Sequence, residues 1–202
     1  MKAMKAMKAM KAVIPEHVFK SLQEDQLELV WQWRNSPRII QNMHNSAPVK
    51  WQEHCAWFEK LEGDNRRQFY VFLQDQRPIG VLNFSDMNTP KPQWGCYLGE
   101  TNVWPGSGLI LELAALDFSA SHKQFSHLLA QVLSFNHAAN KMHKVFEYAK
   151  LSLEKGGERN GLSFDVLHYS YELKQWAQNR DKILTKLPQK FAQAAAHIQF
   201  LE

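Results

Sequence analysis

The chain of 202 residues is long enough for one domain with a sizeable core, and 45% of its residues are hydrophobic. Its formal net charge is +4, but residues 1–12 repeat Met-Lys-Ala four times and supply four lysines and no acid. Without those lysines, 20 of the 24 Lys and Arg residues remain against 20 Asp and Glu residues. The basic balance therefore gives no sign of a nucleic-acid partner.

The repeat over residues 1–12 indicates a leader or an irregular translation start, which we exclude from the fold. No long apolar run follows it, so neither a signal peptide nor a membrane span is expected. We expect this leader, then one α/β domain over 13–176, then a helical extension over 177–202, with no membrane partner. Cys55 and Cys96 lack CxxC spacing, and the histidines lack the spacing of metal ligands. A reduced cytoplasmic protein without a metal site is the expectation.

The first third of the domain predicts one strand and two helices. Residues 17–22 have strand character, and residues 21–24 have the spacing of a capping box. The helix that follows is predicted to end near Pro37, because the residue before a proline disfavours the helical conformation. Apolar residues at helical spacing predict a second helix from Trp51 that ends at Gly63.

The middle of the chain predicts a hairpin and then a strand–loop–helix unit. Two β-rich runs, 68–73 and 79–84, flank a turn signal at 75–78. A third strand over 94–98 leads through Gly106-Ser107-Gly108 into a helix with a broad apolar face. Glycines at such a start let a ligand approach and leave helical N–H groups unpaired for a phosphate, although a plain connection has the same pattern.

Residues 128–135 predict a further strand, 137–148 a helix, and 163–173 the closing strand of a terminal hairpin. The tail from Lys174 is amphipathic and helical, and Pro188 divides it. Together these elements predict a mixed α/β domain of the α+β type. Its centre is a mixed, mostly antiparallel twisted sheet flanked by helices.

Several segments between Phe19 and Trp176 carry a family resemblance. They are Trp33-Arg34-Asn35, Met43-x-Asn45, Glu53-His54-x-x-Trp57-Phe58, the run from Pro78 to Asp86, and Trp94-Gly95-x-Tyr97-Leu98-Gly99. They resemble the GNAT acyl-CoA N-acetyltransferases. Within that superfamily they are similar to the enzymes that acetylate UDP-4-amino-4,6-dideoxy-N-acetyl-β-L-altrosamine in pseudaminic acid synthesis. Ribosomal-protein N-terminal acetyltransferases share the layout but match the Trp-Arg-Asn and Glu-His segments less well.

The resemblance implies the GNAT fold and acetyl-CoA as cosubstrate. Val103 stands where the superfamily usually has Gln or Arg, and Pro105 has no N–H to offer. CoA binding is still expected through the main chain at and after Gly106. The backbone N–H groups that would hold the CoA pyrophosphate are those of Gly106, Ser107, Gly108 and Leu109.

The resemblance also assigns residues around the thioester. Tyr97 and Leu98 would pair with the pantetheine arm, and an N–H near Leu98 would stabilise the oxyanion. Asn136 matches the family asparagine at the pantetheine. Seven residues later, many members have a tyrosine that protonates the departing thiolate, and this chain has His143.

His143 as an acid has one advantage and one drawback. A protonated imidazole, with a pKa of about 6.5, is a stronger acid than a phenol at about 10, but it is less often protonated at neutral pH. A solvent-facing helical histidine is the alternative interpretation. Tyr148 is a weaker substitute for the acid.

On the acceptor side, Arg34 and His54 correspond by resemblance to residues near the nucleotide. Arg34 suits a phosphate through its planar fork, or forms a surface salt bridge; His54 binds ligand or packs between helices. Ser85 and Asp86 are further substrate-side candidates. Trp94 and Tyr97 would stack on uracil or sugar, or belong to the core. The base that takes the amine proton is left open among His54, Asp86 and Glu100.

Three functions remain open at this point. The first is transfer of acetyl from acetyl-CoA to a UDP-linked amino-deoxy sugar, directly in a ternary complex. The second is acetylation of a protein N-terminus or a small amine. The third is a degenerate CoA-binding domain without catalysis, which Val103 and His143 would favour. The C-terminal helical segment is expected to serve packing or a homodimer contact.

Overall fold

A computed structural model describes residues 14–201, so the predicted leader at 1–12 lies outside the described residues. Eight strands form one sheet. The strands are β1 (His17–Ser21), β2 (Gln68–Gln74), β3 (Arg77–Ser85), β4 (Gln93–Leu98), β5 (His127–Leu133), β6 (Ala149–Arg159), β7 (Leu162–Glu172) and β8 (Ile198–Leu201). The helices are α1 (Leu27–Asn35), α2 (Pro37–Ile40), α3 (Trp51–Leu61), α4 (Ser107–Ser121), α5 (His137–Val145), α6 (Trp176–Thr185) and α7 (Gln189–Ala195).

The sheet runs in the order β6-β7-β5-β4-β3-β2-β1-β8. Its neighbours are antiparallel except for β1 with β8 and β4 with β5, which are parallel. The mixed, mostly antiparallel sheet flanked by helices is therefore confirmed. No helix within residues 14–201 is both long and apolar enough to cross a membrane.

Helices cover both faces of the sheet because side chains alternate along each strand. On β2, Tyr70 and Phe72 belong to a core that includes α4, α6 and α7. Val71 and Leu73 belong to a second core, built with α1 and flanked by α3. We call these two sides the α4 face and the α1 face.

Two local predictions differ from the structure near the ends of elements. Ser21 is the last residue of β1, so it does not cap a helix; a short 3₁₀ turn at Glu24–Gln26 precedes α1 instead. The hairpin turn of β2 and β3 consists of Asp75 and Gln76, both with positive φ, as a type I′ turn requires. Pro78 already belongs to β3.

Helix α4 is more deeply buried than an amphipathic helix. Every residue from Ile110 to Leu116 is buried, because the sheet covers one side and the tail helices cover another. Trp176, Ile183 and Phe191 of the tail share the core cluster of α4. The expectation of helices alone after Lys174 is corrected, since the tail ends in β8, which pairs in parallel with β1. The domain boundary after residue 176 stays a prediction.

The feature that matters most for function is the separation of β4 from β5. The two strands pair at a single position, Gln93 with Leu129. At the same end, the N–H of Leu129 donates to the Pro92 carbonyl and the N–H of Ser126 donates to the Pro90 carbonyl. Beyond that point β4 continues along β3 and β5 continues along β7. The middle of the sheet therefore opens into a gap.

We expect Phe191→Ala to lower the free energy of unfolding by about 3–5 kcal/mol, the usual cost of emptying a buried phenylalanine site. Phe191 is 5% exposed and lies against Trp104, with 5.1 Å between ring centroids. Urea denaturation measures the change, with Gln189→Ala at an exposed position of the same helix as the control. Equal denaturation midpoints for the two variants would show that the tail is not part of the core.

Candidate active site

The gap between β4 and β5 leads into a cleft of about 820 Å³. Its lining comes from both faces of the sheet, because the opening passes through the sheet itself. The α4-face lining includes Gly108, Leu111, Glu112, Met142 and His143. The α1-face lining includes Arg34, Arg38, Ile39, His54 and Tyr97. Two molecules entering from opposite faces would meet at the gap.

The glycine turn before α4 has different reasons for its two glycines. Gly106 has a φ of +103°, and a Cβ there would lie 2.0 Å from the Phe191 ring, so packing against the tail already requires glycine. Gly108 lines the cleft, where a Cβ would lie 3.0 Å from the Cε of Met142. Gly108 is thus the glycine of this turn that lines the cleft, and its contact with a ligand stays a prediction.

Two of the N–H groups predicted for the pyrophosphate already have partners. The N–H of Ser107 donates to the Trp104 carbonyl (3.0 Å), and that of Leu109 to the Gly106 carbonyl (2.8 Å). The hydroxyl of Ser107 is buried and accepts from the side chain of Gln74 (2.7 Å). Val103 packs against the apolar core of α4. A ligand at Ser107 or Leu109 would replace these bonds, so their role stays a prediction.

Strand β4 presents its side chains to both parts of the cleft. Trp94 and Leu98 belong with the core of the α4 face, and Tyr97 with that of the α1 face. Trp94 is 6% exposed and its ring centroid lies 5.8 Å from that of His143. It therefore lies with the predicted acid, on the face opposite Arg34 and Tyr97.

His143 is buried at the cleft wall, not exposed on its helix. It is 4% exposed, and its Nδ1 lies 3.2 Å from Oε1 of Glu112, which is 2% exposed. This is ion-pair distance, although the two atoms are poorly aligned for a hydrogen bond. Its ring stacks on Tyr148 at 4.6 Å and meets the edge of Tyr169 at 4.9 Å. The solvent-facing alternative is thereby excluded.

Two weakly acidic groups near Glu112, the Tyr148 phenol and the Cys96 thiol, stay protonated. Burial, followed by the charge of Glu112, raises the pKa of Tyr148 well above its ordinary value. Cys96 is exposed to the cleft; desolvation by the protein atoms around it, followed by the charge of Glu112, raises the pKa of its thiol. Tyr148 does not line the cleft but packs behind His143. Neither group supplies a charge at neutral pH.

Asn136 lines the cleft at the start of α5 and caps that helix. Its Oδ1 accepts from the N–H of Ala139 at 3.3 Å. The position agrees with the predicted pantetheine contact, but the cap alone also explains an asparagine here. The contact stays a prediction.

The acceptor side of the cleft is cationic. Nη2 of Arg34 donates to the Asn45 carbonyl (2.8 Å), while its Nη1 is buried without a hydrogen-bond partner among residues 14–201. Burial lowers the pKa of Arg34, opposed by Tyr97, and the group still remains charged at neutral pH. Arg38 also lines the cleft and donates to the Gly99 carbonyl (2.6 Å). Among the lining residues, Glu112 is the single acid, and it faces His143.

His54 both packs and lines the cleft. Its Nε2 lies 3.1 Å from the Leu27 carbonyl, which fixes Nε2 as the donor. The ring stacks on Trp57 at 5.1 Å. Burial lowers its pKa, so the ring is neutral at neutral pH. It therefore remains able to accept a proton at Nδ1.

The other candidate bases lie elsewhere. Glu100 accepts from Nε1 of Trp33 at 2.9 Å, and Asp86 occupies a turn with a φ of +56°. Neither lines the cleft, whereas Ser85 does. Of the three base candidates, His54 alone is placed at the cleft.

Three residues at or near the cleft were not found from the sequence. Glu112 is a lone acid in a run of apolar residues, a pattern that indicates a paired or functional carboxylate. Arg38 follows Pro37, the first residue of α2, and no sequence motif marks it as a site residue. Arg159, at the tip of the β6–β7 hairpin, donates to the carbonyls of Met43 (2.9 Å) and His44 (3.1 Å), and so holds a loop that lines the cleft. Within residues 14–201, no three His, Cys, Asp or Glu side chains are grouped to hold a metal ion.

Comparison with known proteins places these residues in a family context. Residues 18–146 match the family described as Acetyltransferase (GNAT) domain. The acetyltransferase PseH of Campylobacter jejuni is 29% identical over 126 residues, which are 62% of this chain and 78% of that protein.

Solved structures show a shared fold. The crystal structure of C. jejuni N-acetyltransferase PseH has a TM-score of 0.58 at 21% identity, covering 78% of this chain and 99% of that chain. Spermidine N-acetyltransferase from Vibrio cholerae, in complex with CoA and spermine, has a TM-score of 0.73 at 17% identity, covering 80% of this chain and 98% of that chain.

We expect Gly108→Asp to abolish stabilisation by CoA, because a carboxylate at the start of α4 would repel a pyrophosphate there. CoA at about 100 times its Kd should stabilise the wild type by roughly 2.7 kcal/mol. Thermal denaturation with and without CoA measures this. Gly108→Ala is the control, because its methyl group meets only the flexible end of Met142. Full stabilisation of the Asp variant would exclude Gly108 from the CoA site.

Proposed function

Because the chain belongs to the GNAT acetyltransferase family and is an N-acetyltransferase, we propose that its acceptor is the amino group of a UDP-linked amino-deoxy sugar. Acetyl-CoA is the donor in this proposal, and the pathway is of the pseudaminic acid type. The observation that carries it is Arg34, a cation that lines the cleft and whose buried Nη1 has no hydrogen-bond partner among residues 14–201. A buried, unpaired guanidinium N–H is costly, and a diphosphate oxygen would satisfy it.

The charge of the cleft supports an anionic acceptor. Arg34 and Arg38 line the acceptor side, and the one lining acid, Glu112, is at the opposite face. A polyamine would need carboxylates where this cleft has guanidinium groups. A nucleoside diphosphate matches the observed charge, and Tyr97 and Trp57 provide aromatic surface on the same side.

The two-faced cleft supports direct transfer in a ternary complex. CoA would enter on the α4 face at Gly108 and Asn136, and the acceptor on the α1 face at Arg34 and Ser85. Both would reach the gap between the strands, so the amine nitrogen and the thioester carbon would be held together. An enzyme-bound acetyl group on Cys96 is disfavoured, because its raised pKa keeps it a neutral thiol and a poor nucleophile.

The chemistry follows from these positions. The neutral amine attacks the thioester carbonyl, a C–N bond forms, and the C–S bond breaks. An N–H near Leu98 stabilises the developing oxyanion. The amine proton leaves towards His54 or water, and His143 gives a proton to the departing thiolate.

A small-amine acceptor is the second candidate. It is favoured by the higher structural similarity to the spermidine enzyme than to the PseH structure. At such identities this similarity shows a shared fold, whereas the arginines of the cleft bear on the charge of the ligand.

The proposal includes a cytoplasmic location, which the unbonded cysteines Cys55 and Cys96 support. A homodimer stays a prediction.

We expect Arg34→Ala to raise KM for a UDP-linked amino sugar roughly 10- to 100-fold, the worth of a hydrogen bond to a charged group. KM for acetyl-CoA should hardly change, because lost ground-state binding of one substrate appears in the KM of that substrate. Steady-state thiol release measures both constants. Arg66→Ala, at an exposed arginine outside the cleft, is the control. An equal rise in both KM values would move Arg34 away from the acceptor.

A further inference from the structure

We propose that Glu112 is a positioning residue for the transfer reaction: it orients the imidazole of His143 so that Nε2 delivers a proton to the thiolate. This inference rests on the proposed function, because it concerns the proton that the thiolate receives. Glu112 itself does not touch the reacting atoms in this account. It acts through His143.

The burial of Glu112 is the first argument. Its side chain is 2% exposed in a helix segment whose other members, Ile110 to Leu116, are apolar. A buried carboxylate costs several kcal/mol unless it is paired, so packing alone would have selected another apolar residue. Its ion partner is Nδ1 of His143, at 3.2 Å. The pair lines the cleft, where a ligand can use it.

Aromatic rings surround the imidazole of His143. Tyr148 stacks on the ring, Tyr169 meets its edge, and Trp94 lies 5.8 Å from it. Burial raises the pKa of both tyrosines, so they face the ring as neutral groups. Cys96, whose raised pKa reflects burial and then Glu112, is likewise neutral. Glu112 is therefore the acid at ion-pair distance from this ring among residues 14–201.

Orphaned polar atoms mark the same place. Nδ1 of His143, Oε1 of Glu112, the Tyr148 hydroxyl and Nε1 of Trp94 are all buried without a well-aligned hydrogen bond in the described part of the chain, although the Tyr148 hydroxyl interacts with both Glu112 and Trp94. Such groups are rare in folded proteins, and a catalytic role is one of the explanations for them. Bonds between catalytic groups are often poorly aligned before substrate binds and tighten afterwards.

The pair determines which ring nitrogen works. With Nδ1 turned to Glu112, Nε2 is the nitrogen available to the cleft, and a carboxylate at one nitrogen fixes the tautomer of the other. Nε2–H protonates the thiolate sulfur, and the neutral ring keeps its proton at Nδ1. Water restores the proton on Nε2 after the products leave. The acceptor amine has meanwhile lost one proton, so the exchange is balanced.

The first test is the pH dependence of kcat in Glu112→Gln, which keeps the volume and removes the charge. We expect the alkaline limb to move down by about one pH unit or more, since an opposite charge at this distance has that effect. We expect kcat at pH 8 to fall roughly tenfold or more for the same reason, with both KM values unchanged. Asp117→Asn is the matched control: it makes the same change on α4 and breaks the ion pair with Arg180, 2.8 Å away. It should lower stability and leave the limb in place.

The second test needs no activity. The ring of His143, assigned in NMR spectra by comparison with His143→Gln, should titrate at lower pH in Glu112→Gln than in the wild type. If Glu112→Gln does not fold, the ¹⁵N chemical shifts of the His143 ring in the wild type at alkaline pH identify the tautomer. We expect the neutral ring to carry its proton at Nδ1. A neutral ring protonated at Nε2 would overturn the proposal.

Different results would overturn the proposed function and the role of Glu112. A wild-type protein that releases no thiol with any amine would overturn the proposed function. An active wild type whose kcat profile is the same in Glu112→Gln would overturn the role of Glu112 alone. A moved ring titration with an unmoved kcat profile would make the pair structural, and it too would overturn the proposal.

Discussion

The separation of β4 from β5 is the constraint on which the site depends. These parallel strands share one pairing, Gln93 with Leu129, and each then follows its other neighbour. A sheet paired throughout would keep the α4 face and the α1 face apart. Because this sheet opens, Gly108 and His143 on one side and Arg34 and His54 on the other line a single cleft.

Helix α4 supplies the carboxylate that lines the cleft. The tail helices and the sheet bury the middle of α4, so Glu112 lies in surroundings of low polarity. Electrostatic interactions are stronger there than at a surface, and an unpaired charge is correspondingly costly. The tail residues therefore shape the surroundings of Glu112, although none of those described lines the cleft. It shapes the start of α4 through Phe191 and encloses the helix that carries Glu112.

Local patterns predicted much of the fold. The hairpin at Asp75 and Gln76, the helix from Trp51, and the glycine start of α4 were all placed from short-range signals. The pairing of β8 with β1 was not, because it joins residues near opposite ends of the chain and depends on tertiary contacts. The packing of Gly106 against Phe191 was not predicted for the same reason, since Phe191 lies far away in sequence, and the role of the Gly106 N–H stays a prediction.

The cleft contains a part of the predicted site residues, and their roles stay predictions. Arg34, His54, Ser85, Trp94, Tyr97, Leu98, Gly108, Asn136 and His143 line the cleft, whereas Asp86, Val103, Gly106, Ser107 and Leu109 do not. The missed residue Glu112 shows the limit of periodicity. A lone acid in an apolar helix is either exposed or paired, and only the fold reveals that His143 is its partner.

The most direct measurement of the central claim compares two acceptors that differ only in the nucleotide. Thiol release from acetyl-CoA would be followed with a UDP-linked 4-amino-4,6-dideoxy sugar and with the same sugar lacking UDP. If the unpaired Nη1 of Arg34 binds the diphosphate, kcat/KM should be at least roughly tenfold higher for the UDP-linked acceptor, the worth of one hydrogen bond to a charged group. Equal values for the two acceptors, or faster release with spermine than with the UDP-linked sugar, would contradict the account.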